Sequence, residues 1–502
     1  MSLEEIFALK EGRDILSGVY GFCKEEDASL SKFLEAVTQA QSIAIWNKLC
    51  PAISDAVSAI LGKNSPDAEE LLGALTAGAK CVKAALALST FKPAIIKAAL
   101  LDLSRFLGDF DNEIVDSFPL RNLISSICEA CIVASEAGSE HYLPSTITFL
   151  LRESLRADDK EGFLKRLLAV RNVFEALDFS RADQVFIKDL LLRCFVHPNY
   201  LKCADARKFL AELIAMSNGF LCDTVCQVVK VQIASGSVML ASQYGSILYK
   251  AWKDNLGKSP EFSRRLQDNI QHYVQECAHA ENAKRFKGLK QLLKSFHDVN
   301  RSDQFNTMLV EIYDPIIWRS LRCANATVRS QAAVLFLDVF PLQKISPHPE
   351  ESDRLLQKQF DMLTSLLKDD DQRVRAIAIT GVFHILREYW DMLPSATIQN
   401  LLKYIFDTLA FDVSSANVRY AVVMGLKDLL QQPLSHKALK GLLPIIRNYI
   451  HDRSERVRVA FVQLLNMVRF PSFDLHFFLI RSSLYAFHFR LRISRTFFSM
   501  IL

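Results

Sequence analysis

Glycine and proline are scarce in this sequence, with 17 and 15 residues in 502, each roughly half the usual share. Folds rich in sheet or loop need such turn residues, so the shortage favours helices joined by short turns. Charge of one sign is not in excess. The net charge of +4 does not by itself imply nucleic acid, because strong binders show a marked basic excess or a basic stripe. No uninterrupted apolar run reaches the roughly 18 residues that a membrane span needs. The N-terminus, MSLEEIFALKEGRD, lacks the basic and then apolar run of a signal peptide. The 11 cysteines are odd in number, run from Cys23 to Cys323 and show no disulfide framework. Together these absences point to a reducing compartment, cytosol or nucleus.

Signatures of chemistry are missing as well. No G-x-x-x-x-G-K-[ST] or G-x-G-x-x-G cradles a phosphate, and no G-x-S-x-G or H-E-x-x-H is present. Cys128 and Cys131 form a single C-x-x-C in an apolar helical segment. Structural zinc needs four ligands, and no second pair adjoins this one, so both are expected as buried thiols. Cys222 and Cys226, four apart, read the same way. His272, Cys277 and His279 do not share a usable helical face. Asp369, Asp370 and Asp371 read as a helix cap in a solvated turn. The expectation is a protein without catalytic residues, bound metal, cofactor or small-molecule substrate.

What is present is helical periodicity over an apolar content of 50%. In KPAIIKAALLDLSRFLGDF, residues Ile95, Ala98, Leu101, Leu103 and Phe106 recur near three- and four-residue intervals. Between 311 and 469 a repeat becomes explicit. Val-Arg opens an apolar helix at Val328, Val374, Val418 and Val457, spaced 46, 44 and 39 residues apart, the period of HEAT units. Three residues before each Val stands a residue suited to cap a helix: Asn325, Asp371, Ser415 and Ser454. Apolar residues follow four, eight and eleven positions after each Val, which marks one face of a helix. A second amphipathic segment precedes each cap, as in PIIWRSL, FDMLTSLL, IQNLLKYIFDTLAF and LLPIIRNYI. The unit is therefore helix, turn, helix, and stacking such pairs buries faces that one pair cannot. The expected fold class is all-α, a HEAT/armadillo-type helical-repeat solenoid. Residues 1–310 keep the helical texture without the dipeptide and read as degenerate repeats.

Two sets of cations stand out. Arg329, Arg375, Arg419 and Arg458 follow the repeat valines and are expected to form a structural ladder, each bridging to an acidic turn of a neighbouring unit. Lys284, Lys287, Lys290 and Lys294 fall on one third of a helix circumference, with Arg285 beside them. They are the best candidates for contact with a DNA backbone, although a lysine-rich solvated face is the commoner outcome.

The stretch YDPIIWRSLRCANATVRSQAAVLFLDVFP (313–341) is more distinctive than a generic unit. Together with REYWDMLP (387–394), LAFDVSSANVRYAV (409–422) and HDRSERVRVAF (451–461), it closely resembles the G-type HEAT subunits of condensin II. The resemblance runs in order from roughly residue 190 to 469 and more weakly to the N-terminus. It includes rare residues such as Trp318 and Trp390. It implies a nuclear, non-ATPase scaffold found on mitotic chromosomes. Its partners would be the kleisin subunit, through it the SMC ATPases, and DNA or nucleosomes. Periodicity alone also permits a generic HEAT adaptor of the transport-receptor or phosphatase-scaffold type; the 313–341 stretch argues against it. The repeat register stops near Phe470. Residues 470–502 are rich in Phe and Ser, with Asp474 as their one acid, and are expected to form a poorly ordered, divergent tail.

Overall fold

The computed structural model describes residues 2–22, 27–62, 68–88, 94–108, 117–156, 162–177, 185–216, 221–297, 301–344 and 349–468. The tail 470–502 lies outside them. Among the described residues the regular structure is α-helix and 3-10 helix, with no strand. In chain order the first helices are α1 (Leu3–Phe7), α2 (Gly12–Phe22), α3 (Asp27–Ala36), α4 (Gln39–Leu61), α5 (Ala68–Leu86) and α6 (Ile95–Ser104). There follow α7 (Phe118–Val133), α8 (Leu143–Ser154), α9 (Phe163–Ala169), α10 (Val185–Cys194), α11 (Pro198–Lys202) and α12 (Ala204–Ala215). Next come α13 (Cys222–Ser235), α14 (Val238–Asp254), α15 (Pro260–Ala278), α16 (Ala283–Lys294), α17 (Asp303–Ser320) and α18 (Ala326–Val339). The last are α19 (Pro349–Leu367), α20 (Gln372–Tyr389), α21 (Ser395–Asp407), α22 (Ala416–Leu429), α23 (His436–Leu442) and α24 (Glu455–Val468).

The helices form two compact units. One comprises Met1–Gln232 with Lys250–Ser263, the other Ile233–Tyr249 with Arg264–Leu502. Residues 311–469 lie wholly inside the second.

The first unit is centred on fully buried aromatics, among them Trp46, Phe106, Phe149, Phe174, Phe195 and Phe209. Aromatic rings there meet edge to face, as Phe174 does with Phe209 at 5.1 Å between centroids. In α6 the buried face is Ile96, Ala99, Leu100 and Leu103, followed by Phe106. Leu101 is exposed, and so is Ala98. Of the expected face Leu103 and Phe106 are buried, while Ile96, Ala99 and Leu100 take the places of Ile95, Ala98 and Leu101: in a segment this rich in apolar residues, neighbouring stripes look equally good until a partner helix selects one.

In the second unit the repeats pair a first element with a second. The first elements are α17, α19 and α21; the second are α18, α20, α22 and α24. The second helices pack on one another in sequence, α18 on α20, α20 on α22, α22 on α24. The repeat register explains that packing. Val328, Ala332, Phe336 and Val339 are buried, as are Val374, Ala378, Val382 and Ile385, and then Val418, Val422, Leu426 and Leu429. In α24 Val457 and Phe461 are fully buried and Leu465 is half-buried; the side chain of Val468 is outside the described set. Gly425 lets α22 approach α20 closely, since a Cβ there would lie 2.0 Å from the Phe383 ring. The fourth pair departs from expectation. LLPIIRNYI is not a continuous α-helix: α23 ends at Leu442 and Leu443–His451 continue as 3-10 helix. Pro444 has no N–H to give the α-helical ladder, which favours the tighter turn.

Candidate functional site

The repeat arginines are held by two sets of bonds. Inside its own repeat, Arg329 Nη1 donates to the carbonyls of Cys323 and Ala324, both at 2.9 Å. Across to the next repeat, its Nε and Nη2 grip Asp369 at 2.8 and 2.9 Å. Arg375 repeats this with the Asp369 and Asp370 carbonyls and with Asp412, and Arg419 with the Asp412 carbonyl and Asp452. Arg458 makes the inner half, to the carbonyls of Asp452 and Arg453. Each turn carboxylate also accepts a backbone N–H of its own turn: Asp371 N to Asp369, Ser415 N to Asp412, Ser454 N to Asp452. One Asp thus shapes its turn and anchors the preceding repeat. Asp369 is therefore not a solvated turn residue; it and Arg329 are 10% and 16% exposed. Burial would raise the carboxyl of Asp412, but bonds from Ser414 and Arg375 outweigh it and hold it below the ordinary 3.8. Asp452 is held down in the same way by Arg419 and the Ser454 N–H.

The capping residues stand where the turns end. Asn325 Oδ1 accepts from Thr327 N at 2.9 Å, Asp371 Oδ1 from Arg373 N at 2.8 Å, and Ser415 Oγ from Asn417 N at 3.2 Å. At the fourth position the carbonyl of Ser454 receives Val457 N and Arg458 N. A fifth ladder residue escaped sequence reading. Arg207, in the first turn of α12, donates from Nη1 to the carbonyls of Leu201 and Lys202 at 2.7 and 3.0 Å, the same inner half of the rung. Its dipeptide is Ala206-Arg207, so a search for Val-Arg passes over it; a small buried residue followed by Arg is the usable signal.

The second helices turn one face to their neighbours and another outward to a groove of about 620 Å³. Its floor is mostly apolar: Val334 and Leu337 from α18, Ala376 and Ile377 from α20, Ala421 and Met424 from α22. These sit two, three, six and nine positions after the repeat Val, and all but the buried Ala421 are half-buried or exposed. Arg373, Asn417 and Arg456, each one position before that Val, lie along the edge where the helices begin. Arg456 stacks over the Tyr420 ring at 3.8 Å and donates to Asn417 Oδ1 at 3.2 Å. On the opposite side, Lys290 of α16 pairs with Asp338 at 3.1 Å. Neither the groove nor its Arg373 and Arg456 edge was visible as a motif, because its members are scattered over more than 160 positions as single residues.

An adjoining cavity of about 650 Å³ shares Lys290, Leu337, Asp338 and His384 with the groove. At its wall Arg301 caps the end of α18 through the carbonyls of Val339 and Phe340. His297 is bonded to the Tyr313 hydroxyl at 2.6 Å, and burial pushes its pKa down to about 3, helped by Arg301 and Lys290. A neutral, bonded imidazole of this kind is part of the packing.

The five candidate DNA contacts do not behave as one stripe. Lys290 is engaged with Asp338, Arg285 pairs with Glu276 at 2.9 Å, and Lys284 Nζ donates to the Ser235 carbonyl at 3.0 Å. Lys284, Lys287 and Lys294 are exposed. Cys128, Cys131, Cys222, Cys226 and Cys277 are buried, and burial pushes the Cys128 thiol up to about 12. His272 and His279 are exposed and do not join Cys277. Among the described residues no three His, Cys, Asp or Glu side chains converge as metal ligands. No helix among them is long and apolar enough to cross a membrane.

Comparison with known proteins adds a direction. The family described as "Condensin II non structural maintenance of chromosomes subunit" matches residues 193–344. Condensin-2 complex subunit G2 of Xenopus laevis is 30% identical over 490 residues, covering 93% of this chain and 42% of that protein. The human protein of the same name is 36% identical over 355 residues, covering 70% of this chain and 31% of its own length. The chain thus spans less than half the length of these relatives. Among solved structures, importin beta overlaps 92% of this chain at 11% identity with a TM-score of 0.38.

Proposed function

We propose, for a chain that is a homologue of subunit G2 of the condensin-2 complex, the role of a non-catalytic scaffold within that complex. The observation that carries this reading is the length of the match, 490 residues in order through both units. The partners are the kleisin subunit, through it the SMC ATPases, and DNA or nucleosomes; the setting is the nucleus and the mitotic chromosome. A ladder-braced array suits such work, since it offers a long surface whose shape does not depend on any one ligand. DNA contact falls to Lys284, Lys287 and Lys294, whose residues are exposed, rather than to the half-buried Lys290 and Arg285. Binding of that kind is indifferent to sequence and sensitive to salt.

Affinity capture from nuclear extract tests the reading. Recovery of kleisin and SMC subunits is the expected result. Recovery of transport cargo or phosphatase subunits in their place would favour a generic adaptor. For DNA, replacing Lys284, Lys287 and Lys294 by Gln should flatten the slope of log affinity against log salt by up to about 0.9 for each phosphate left without its lysine. An unchanged slope would leave these lysines as a solvated face.

A further inference from the structure

We infer that the cavity between α16, α18 and α20 binds a small organic phosphate, with its phosphate on Arg301 and Lys294 and its planar body against Phe340 and Tyr389. This is a separate property of the array and does not depend on the scaffold reading.

Arg301 is the starting point. The ladder arginines give some of their donors to carbonyls and the rest to a carboxylate, and the bonds to Asp369 and Asp452 raise the pKa of Arg329 and Arg419. Arg301 is half-buried as they are, but its bonds go to the carbonyls of Val339, Phe340 and Pro341. No carboxylate is among its described partners. Burial accordingly lowers its pKa, the opposite direction to the ladder arginines. The end of α18 supplies only about half an elementary charge, so the guanidinium is compensated in part. A partly buried cation without a full counter-charge is disfavoured, and a bound oxyanion relieves that.

The cavity beside Arg301 has room for such a group. It measures about 650 Å³, within the range of about 300–1,000 Å³ usual for small-molecule sites. Its two carboxylates are already engaged, Asp338 by Lys290 at 3.1 Å and Glu388 by Arg387 at 2.6 Å. Lys294 lines the cavity from an exposed position and adds its charge to that of Arg301. His297 lines it too; Tyr313 holds its Nε2, and Nδ1 has no described partner. A guanidinium fork matches two oxygens of a phosphate, and an ammonium adds a point charge. The remaining wall is largely apolar, from Leu337, Phe340, Ile385 and Tyr389, with the Phe340 and Tyr389 rings edge to face at 5.9 Å. Aromatic surface of this kind suits a planar body. The two carboxylates and the end of α18 disfavour a ligand with many charges, so the group carries few phosphates, as a nucleoside diphosphate does.

Isothermal titration calorimetry of the full chain with ADP, pyrophosphate, adenosine and citrate tests this. ADP should bind saturably at one site and more tightly than the other three. Arg301→Gln and Lys294→Glu should each lower the ADP affinity by about tenfold or more. Arg301→Lys, which keeps the charge and loses the fork, should lie between Arg301→Gln and the unaltered chain. Changing Lys284 and Lys287 to Gln, both outside the cavity, should leave the affinity unchanged. Circular dichroism checks that each variant folds; Arg301 also caps α18, so Lys294→Glu decides the matter if the Arg301 variants do not fold. The inference is overturned if ADP does not bind saturably at millimolar concentration, if Lys294→Glu binds it as well as the unaltered chain, or if the Lys284 and Lys287 changes weaken it equally. Adenosine or citrate binding as tightly as ADP would overturn the phosphate contact, and pyrophosphate binding as tightly would overturn the planar body.

Discussion

Both units bury apolar residues, but they brace themselves differently. In the second, the same Arg-to-Asp bridge recurs from repeat to repeat, with Arg375 and Asp412 only 12% and 9% exposed. In the first, each polar link is particular to its place. Arg166 grips Glu129 through Nε and Nη2 and also reaches Asn122; Lys97 Nζ meets the Ala137 carbonyl; Ser154 and Tyr200 share a buried bond at 2.6 Å. A periodic brace leaves a periodic trace in the sequence, whereas a collection of singular braces does not. The polar cross-links described in the first unit accordingly follow no common spacing. Arg207, with the inner half of a rung, shows an intermediate condition.

The largest expected effect lies in the first unit, where the fully buried Phe209 meets the Phe174 ring edge to face. Phe209→Ala should cost about 3–5 kcal/mol, read as a drop in the midpoint of chemical denaturation. A cost under about 1 kcal/mol would mean that packing there is loose enough to collapse around the missing ring.

The ladder comes next. Asp412→Ala removes the partner of a guanidinium that stays enclosed, and should cost about 2–3 kcal/mol. The same carboxylate predicts an acid response. Its folded pKa lies below 3.8, so its contribution is complete above the ordinary carboxylate value and is lost as pH falls through the folded one. Asp452 acts in the same direction. Acid should therefore loosen the regular repeats below about pH 4, and Asp412→Asn with Asp452→Asn should remove part of that pH dependence. Hydrogen exchange across 372–429, followed against pH in both proteins, decides it.

Smaller effects sharpen the intermediate case. Arg207→Met removes two bonds to carbonyls and should cost about 1 kcal/mol, clearly less than Arg375→Met, which also strands a carboxylate. Equal costs would make Arg207 a full rung. Asp371→Ala should cost about 1 kcal/mol by removing the cap, with faster exchange confined to 372–386 and adjacent repeats. Unchanged exchange there would refute a stabilising cap at Asp371.

By itself the sequence determined the class of fold, because scarce turn residues and a 3.6-residue apolar period leave few alternatives to stacked helices. It also marked the repeat register from Val328 to Val457, since the dipeptide recurs at a nearly constant interval; of its arginines, Arg329, Arg375 and Arg419 reach a neighbouring Asp, and Arg458 bonds only to carbonyls of its own repeat. Tertiary structure decided what does not recur. It chose the Ile96 face of α6 over the Ile95 face, broke LLPIIRNYI into two kinds of helix, and placed Arg207 in a rung without its valine. It drew Lys290 and Arg285 out of the lysine stripe by setting Asp338 and Glu276 beside them. Most of all it assembled the groove, where residues from five helices, single and unremarkable in the chain, come together because stacking aligns one position of every repeat. Periodicity records which side of each helix is buried; which exposed side chains end up sharing a surface depends on how helices far apart in sequence are stacked.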